Sequence, residues 1–237
     1  MIRPWLCARH IPSNHRTYRS FWDACWSGDT ERVQRYLEQG VVTDPGVIQC
    51  GLRYALWEFG DACRPLLLNA GARIGLVETV QLGNIEALSQ VLGEGAPLNG
   101  EPGDVPPLVV AYQQCCPSLE MIFFLLEAGA DVNGQDTLGN TALMYALWWD
   151  RKNLARSLLD RGADVNLANH RGETPLMQAI RRVSGEAVNL PVIVEWLLDA
   201  GADVNPRNRR GDTALRLAIQ RDDPRIIRML KQAGAQE

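Results

Sequence analysis

The chain has 237 residues, 46% of them hydrophobic and 22% charged, with a formal net charge of −4 at pH 7. That is ordinary globular composition, and a chain of this length buries about 70–75% of its unfolded surface without help from a disulfide or a metal. The negative balance argues against wholesale nucleic-acid binding, and no stretch approaches the roughly 20 apolar residues of a membrane span.

The first 19 residues carry Arg3, Arg9, Arg16 and Arg19 and no acid. Their charge suits a transit peptide, but Pro4 and Pro12 interrupt any amphipathic helix and no apolar signal core follows. The expectation is a basic arm over 1–19, disordered or packed, with targeting as the alternative. From residue 20 onward, amphipathic helices end in glycines that serve as C-caps. "DTERVQRYLEQG" closes at Gly40, "DACRPLLLNAG" at Gly71, "NIEALSQVLGEG" at Gly95 and "SLEMIFFLLEAG" at Gly129. Later closures fall at Gly162, Gly201 and Gly234. These divide one repeat domain, 20–237, into units of about 20–40, 41–71, 72–95, 96–129, 130–162, 163–201 and 202–237.

The opening "GADVN" of the fifth unit returns in the sixth and seventh, and 33 residues separate Gly129 from Gly162 and Gly201 from Gly234. A fixed period of this size marks one supersecondary unit stacked on itself. In "GNTALMYALWW", Leu143, Ala146 and Leu147 share one helical face, and Leu154, Leu158 and Leu159 share another on the following helix. Two short helices and a turn cannot bury both faces alone, so neighbours must stack. The third unit, with 24 residues, is too short for a hairpin and two helices, and its finger is expected to be missing or rudimentary. The sixth carries six extra residues around 183–188, "VSGEAV". The last helix, "PRIIRMLKQ", has the half-polar face of a C-terminal cap.

The phrases "DTLGNTALMYA", "NHRGETPLMQA" and "NRRGDTALRLA", each followed by "GADVN" or "GA", resemble the ankyrin repeat. The resemblance implies an all-α ankyrin-repeat solenoid of stacked helix-turn-helix units with short β-hairpin-like fingers. The family's usual histidine after Thr-Pro-Leu is replaced by Met144, Met177 and Arg216, which predicts less rigid turns. The resemblance also implies that the ends of the first helices and the finger tips form a concave, partner-binding surface. Along that stripe stand Trp26, Trp57, Trp148 and Trp149, then Arg181, Arg182 and Arg221, while His170, Arg171, Arg209 and Arg210 sit at finger tips. Trp and Arg are enriched at binding hot spots. Consecutive helix positions cannot both face one core, which favours Trp148 and Trp149 as anchors. Packing of the indoles against neighbouring helices is the alternative, and it is preferred for Trp26. The arginines suit bidentate recognition of carboxylates. Against them stand the interspersed acids Glu173, Asp212, Asp222 and Asp223, which would make the face merely solvated.

No nucleophile elbow, phosphate loop or H-E-x-x-H motif occurs. Asp131, Asp164 and Asp203 recur within "GAD" as loop caps rather than catalytic acids. The six cysteines, Cys7, Cys25, Cys50, Cys63, Cys115 and Cys116, form no C-x-x-C pair and read as reduced and intracellular, consistent with a cytoplasmic protein. No metal site and no cofactor are expected. The resulting expectation is a non-catalytic scaffold or adaptor, monomeric, binding another protein with an acidic segment. Neither nucleic acid nor membrane is expected as a partner. Charge reversal at Arg181 and Arg182 should then abolish binding and leave unfolding nearly unchanged. The alternatives are an enzyme acting on a small apolar molecule in a pocket walled by Trp57, Trp148 and Trp149, and a module that self-associates through its N-terminal half.

Overall fold

The computed structural model describes residues 15–56, 61–100, 104–113, 118–181 and 190–236. Trp57, Arg182, the 183–188 insertion, Cys7, Cys115, Cys116 and residues 1–14 of the arm lie outside them. The chain falls into two compact units, one ending at Ala130 and the other beginning at Asp131, each described by itself.

Among the described residues, the first unit holds four helix pairs: α1 (His15–Ser27) with α2 (Thr30–Glu38), α3 (Pro45–Ala55) with α4 (Arg64–Asn69), α5 (Leu76–Gln81) with α6 (Ile85–Gly93), and α7 (Pro107–Gln113) with α8 (Leu119–Glu127). Residues 15–19, assigned to the arm by charge, are the first turns of α1. Short polar side chains start the outer helices. Asp29 accepts from Arg32 N–H at 3.0 Å, Asn84 from Ala87 N–H at 2.9 Å and Ser118 from Met121 N–H at 3.2 Å, each filling one orphan donor of a first turn. Phe21, Val33, Val47, Leu52, Cys63 and Leu67 are buried together. Trp22 stacks on Tyr54 at 5.9 Å and donates its indole N–H to Val47 O at 3.2 Å. Cys25 and Cys63 are free and fully buried, the small hydrophobes that their helix faces imply. Burial pushes both thiols up, reinforced by Cys63 beside Cys25 and by the Asp29 carboxylate near Cys63. Cys50 departs from the expectation of six reduced thiols: it is disulfide-bonded.

The third unit has no finger, since only Ala72–Gly75 separate Gly71 from α5. The second lacks one as well, because Val41–Asp44 alone join Gly40 to α3. Its length hides the loss. Residues 56–63 connect α3 to α4, including a 3-10 turn at Asp61–Cys63, whereas three residues, 149–151, make the corresponding turn in the fifth unit.

Among its described residues, the second compact unit holds three pairs: α9 (Ala142–Trp148) with α10 (Lys152–Asp160), α11 (Pro175–Arg181) with α12 (Leu190–Asp199), and α13 (Ala214–Arg221) with α14 (Pro224–Gln232). α11 packs between α9 and α13. Thr141 and Thr213 cap the inner helices through Met144 N–H at 3.3 Å and Arg216 N–H at 3.2 Å. Met144 and Met177, in place of the usual histidine, are buried. Ile226 and Leu230 of α14 are buried while Arg225, Arg228 and Lys231 are exposed, as a capping helix requires. No described helix is long and apolar enough to cross a membrane.

Candidate protein-binding surface

The fingers of residues 131–237 are built alike. Each turns on one buried short polar side chain: Asp136, Asn169 or Asn208. Asp136 Oδ1 accepts from Leu138 and Asn140 N–H, both at 2.8 Å. Asn169 does the same for Arg171 and Glu173 at 2.9 and 3.1 Å, and Asn208 for Arg210 and Asp212 at 2.9 Å each. This Asx chemistry presets the turn without a regular strand, although a bridge joins Gln135 to Thr141 at the base of the first finger. Tyr145 O–H donates to Asp136 Oδ2 at 2.6 Å and ties that finger to α9.

Successive fingers bond backbone to backbone. His170 N–H donates to Leu138 O, and Arg209 N–H to Arg171 O, both at 2.9 Å. Gly139, with φ +77°, lies so close to the next finger that a Cβ would meet His170 N at 2.8 Å. Behind the fingers runs an amide ladder. Asn133 Oδ1 accepts from Asp164 N–H, Asn166 Oδ1 from Asp203 N–H, both at 2.8 Å, and Asn205 Oδ1 from Gln236 N–H at 2.9 Å. Their Nδ2 groups donate to Gly162, Gly201 and Gly234 carbonyls at 3.4, 3.0 and 3.4 Å. The aspartates of "GAD" bond Asn133, Asn166 and Asn205 N–H at 2.8–2.9 Å, which is loop capping.

This frame brings His170, Arg171, Arg209 and Arg210 together on neighbouring tips, all exposed. At the end of α9, Trp148 is half-buried and Trp149, which caps the helix, is 40% exposed, so neither indole lies in the core. Asp150 follows in the left-handed region at φ 56°, and Asp222 repeats this at φ 57° after α13, turning the chain between paired helices. Arg221 reaches back and donates from Nη1 to Ile180 O at 3.3 Å, covering a carbonyl at the end of α11.

Arg181 is paired within its own repeat. Its Nη1 pairs with Oε1 of Glu173, whose side chain is 3% exposed and whose other oxygen accepts from Gln178 Nε2 at 2.7 Å. Eight residues separate Glu173 from Arg181, which is no helical side-chain spacing, so nothing in the sequence pairs them. Two of the other acids, Asp212 and Asp223, are also engaged nearby. Asp212 pairs with Arg216 at 3.2 Å, and Asp223 pairs with Arg225 at 3.5 Å while capping α14 through Arg225 and Ile226 N–H at 3.1 and 3.4 Å. Partial burial of the Asp223 carboxyl opposes its ionisation, but the Arg225 guanidinium and those two N–H groups outweigh it and hold the pKa below the ordinary value. Among the described residues, no three metal-ligating side chains converge.

No curated protein matches the chain. A family model described as ankyrin repeats, in three copies, matches residues 21–169 and 162–237. With repeated fingers, helix pairs and an amide ladder recurring at 33- and 39-residue intervals, the chain belongs to the ankyrin repeat family, whose repeats generally serve as protein–protein interaction modules.

Proposed function

We propose that residues 131–237 form the binding face of a non-catalytic adaptor that takes an acidic segment of a partner protein. Arg171, Arg209 and Arg210, with His170 beside them, engage carboxylates at the finger tips, and exposed Trp149 supplies an apolar anchor next to half-buried Trp148. One observation carries this reading. Of the four acids interspersed on this face, Glu173, Asp212 and Asp223 are committed to Arg181, Arg216 and Arg225, and Asp222 is exposed just after α13. The tip arginines stay exposed on fingers already fixed to each other through their backbones. Guanidinium groups on a preorganised frame bind carboxylates bidentately at little ordering cost.

A displayed random-peptide library panned against the full chain tests this. Enriched sequences are expected to be acidic with an apolar flank, and to lose at least about tenfold in affinity, roughly 1.4 kcal/mol, on Arg209→Glu, Arg210→Glu. Enrichment without acids, or equal affinity for that variant, would overturn the proposal.

A further inference from the structure

Cys50 stands on α3, 5% exposed, and is disulfide-bonded. Cys25 and Cys63 are free thiols, so its partner is Cys7, Cys115 or Cys116. The described residues that flank each candidate tell them apart.

In sequence, Cys115 and Cys116 fall between the end of α7 at Gln113 and the start of α8 at Leu119. α5 packs on both α3 and α7 and stands between them. Its first turn faces α3, where Glu78 accepts from Gln49 Nε2 at 2.6 Å and from Arg53 Nε at 2.8 Å. Its far end meets the fourth repeat, where a Cβ on Gly83 would stand 3.9 Å from Ser118 Cβ. Packed helix axes lie about 8–10 Å apart, which sets α3 and α7 roughly 16–20 Å from each other. A disulfide joins Cα atoms no more than about 7 Å apart. Gln113 and Ser118 are both anchored on the far side of α5, so the two residues between them do not suit Cys50.

Cys7 precedes α1, and α1 packs directly on α3. Trp22 touches α3 at Val47 and at Tyr54, and Cys50 shares one helical stripe with those two residues. Tyr18, one turn before Trp22, packs against it with ring centroids 6.4 Å apart. Tyr18, Trp22 and Tyr54 are each half-buried, an aromatic strip that runs from beside Cys50 toward the start of α1. From Trp22 back to His15 is roughly 10 Å of helix. The eight-residue step from His15 back to Cys7 spans up to about 26–29 Å, so the reach is ample.

We propose that Cys7 is the partner of Cys50 and that the arm, residues 1–14, is the occupant of the aromatic strip. Ile2, Trp5, Leu6 and Ile11 bring apolar side chains to it, and the disulfide holds the arm at one point. Forming the bond takes two protons and two electrons from the thiols; a small disulfide such as oxidised glutathione accepts them and leaves as two thiols. Reduction releases the arm and bares the strip. The inference concerns residues 1–130 alone and does not rest on the finger-tip reading.

The test is a peptide map of the full chain, oxidised with glutathione disulfide and then alkylated in guanidinium without reduction. A peptide carrying Cys7 should be found joined to one carrying Cys50, while Cys25 and Cys63 are alkylated. Cys7→Ser should leave Cys50 open to alkylation, and Cys115→Ser with Cys116→Ser should leave it bonded. Cys50 joined to Cys115 or Cys116, or alkylated in the wild type, would overturn the pairing. Seating of the arm is read separately by brief trypsin digestion of the folded chain. Cleavage after Arg9 should be at least about tenfold slower in the oxidised wild type than in Cys7→Ser, and equal rates would overturn the docking of the arm on the strip.

Discussion

Gly139, Gly172 and Gly211 occupy the same position of three successive fingers, at φ +77°, +71° and +80°, yet they face different neighbours. A Cβ on Gly211 meets nothing within 4 Å, one on Gly172 meets Arg209 N and Asn208 Cα at 3.2 Å, and one on Gly139 meets His170 N at 2.8 Å. Holding an L-residue in the left-handed region costs about 1–2 kcal/mol. Restricting the unfolded chain returns about 0.4–1 kcal/mol. Gly211→Ala should therefore cost roughly 0.5–1 kcal/mol. At Gly139 the obstacle is the backbone of the next finger, itself bonded to Leu138 O at 2.9 Å, so it cannot swing aside as a side-chain tip would. Overpacking of that kind adds about 1–3 kcal/mol, for a total of roughly 1.5–4 kcal/mol, with Gly172→Ala between the two. Urea unfolding of the three variants, followed by circular dichroism and compared at equal m-values, measures the order. Three equal losses, or the smallest loss at Gly139, would refute the claim that finger-to-finger packing sets the cost.

Arg181→Glu should destabilise the chain by about 3 kcal/mol or more by setting two carboxylates together with Glu173 largely buried, and Glu173→Gln in the same chain should recover part of the loss. A thermal melt unchanged by Arg181→Glu would remove the structural role assigned to that pair. Asn166→Ala deletes both rungs of the ladder at its junction and should cost about 1–2 kcal/mol, measured by the same urea unfolding; a loss within error would mean that water replaces the amide. Asp223 has a depressed folded pKa, so its contribution is present above the ordinary carboxylate value of 3.8 and is lost as pH falls through the lower folded value. The stability gap between wild type and Asp223→Ala, about 1 kcal/mol at pH 7, should accordingly close in acid, and a gap constant from pH 7 to pH 2 would contradict the assignment. Cys25 and Cys63 should resist a thiol reagent until the chain unfolds, and labelling of either in native buffer would show that the first unit opens locally.

The repeat phase from Gly129 onward was legible because "GADVN" and the Thr-capped helix are local chemistry, each residue serving its own turn. The aspartates of "GAD" do in the structure what their recurrence implies. The pairing of Glu173 with Arg181 was not legible, since it depends on a finger folding back beside the helix that follows it. That pairing also gives Arg181 a structural partner, so reversing its charge should change unfolding as well as any binding, and the expectation of nearly unchanged unfolding does not follow. The second unit misled for a different reason. Its 31 residues match a complete repeat, but the length lies between α3 and α4 instead of in a finger. Residue count fixes the number of units without saying where within a unit the chain spends its length.

The amide ladder of residues 131–237 also has a mechanical meaning. Each rung joins a repeat to the next through one side chain, so tension along the chain acts on junctions in series, and the repeats give way one at a time as single junctions fail. A repeat of 33 residues released this way contributes about 110–120 Å of extended chain, and the 39-residue interval from Gly162 to Gly201 about 130–140 Å. Under force, the spacing of the glycines becomes a ruler, and the longer step marks where the sixth repeat carries its extra residues.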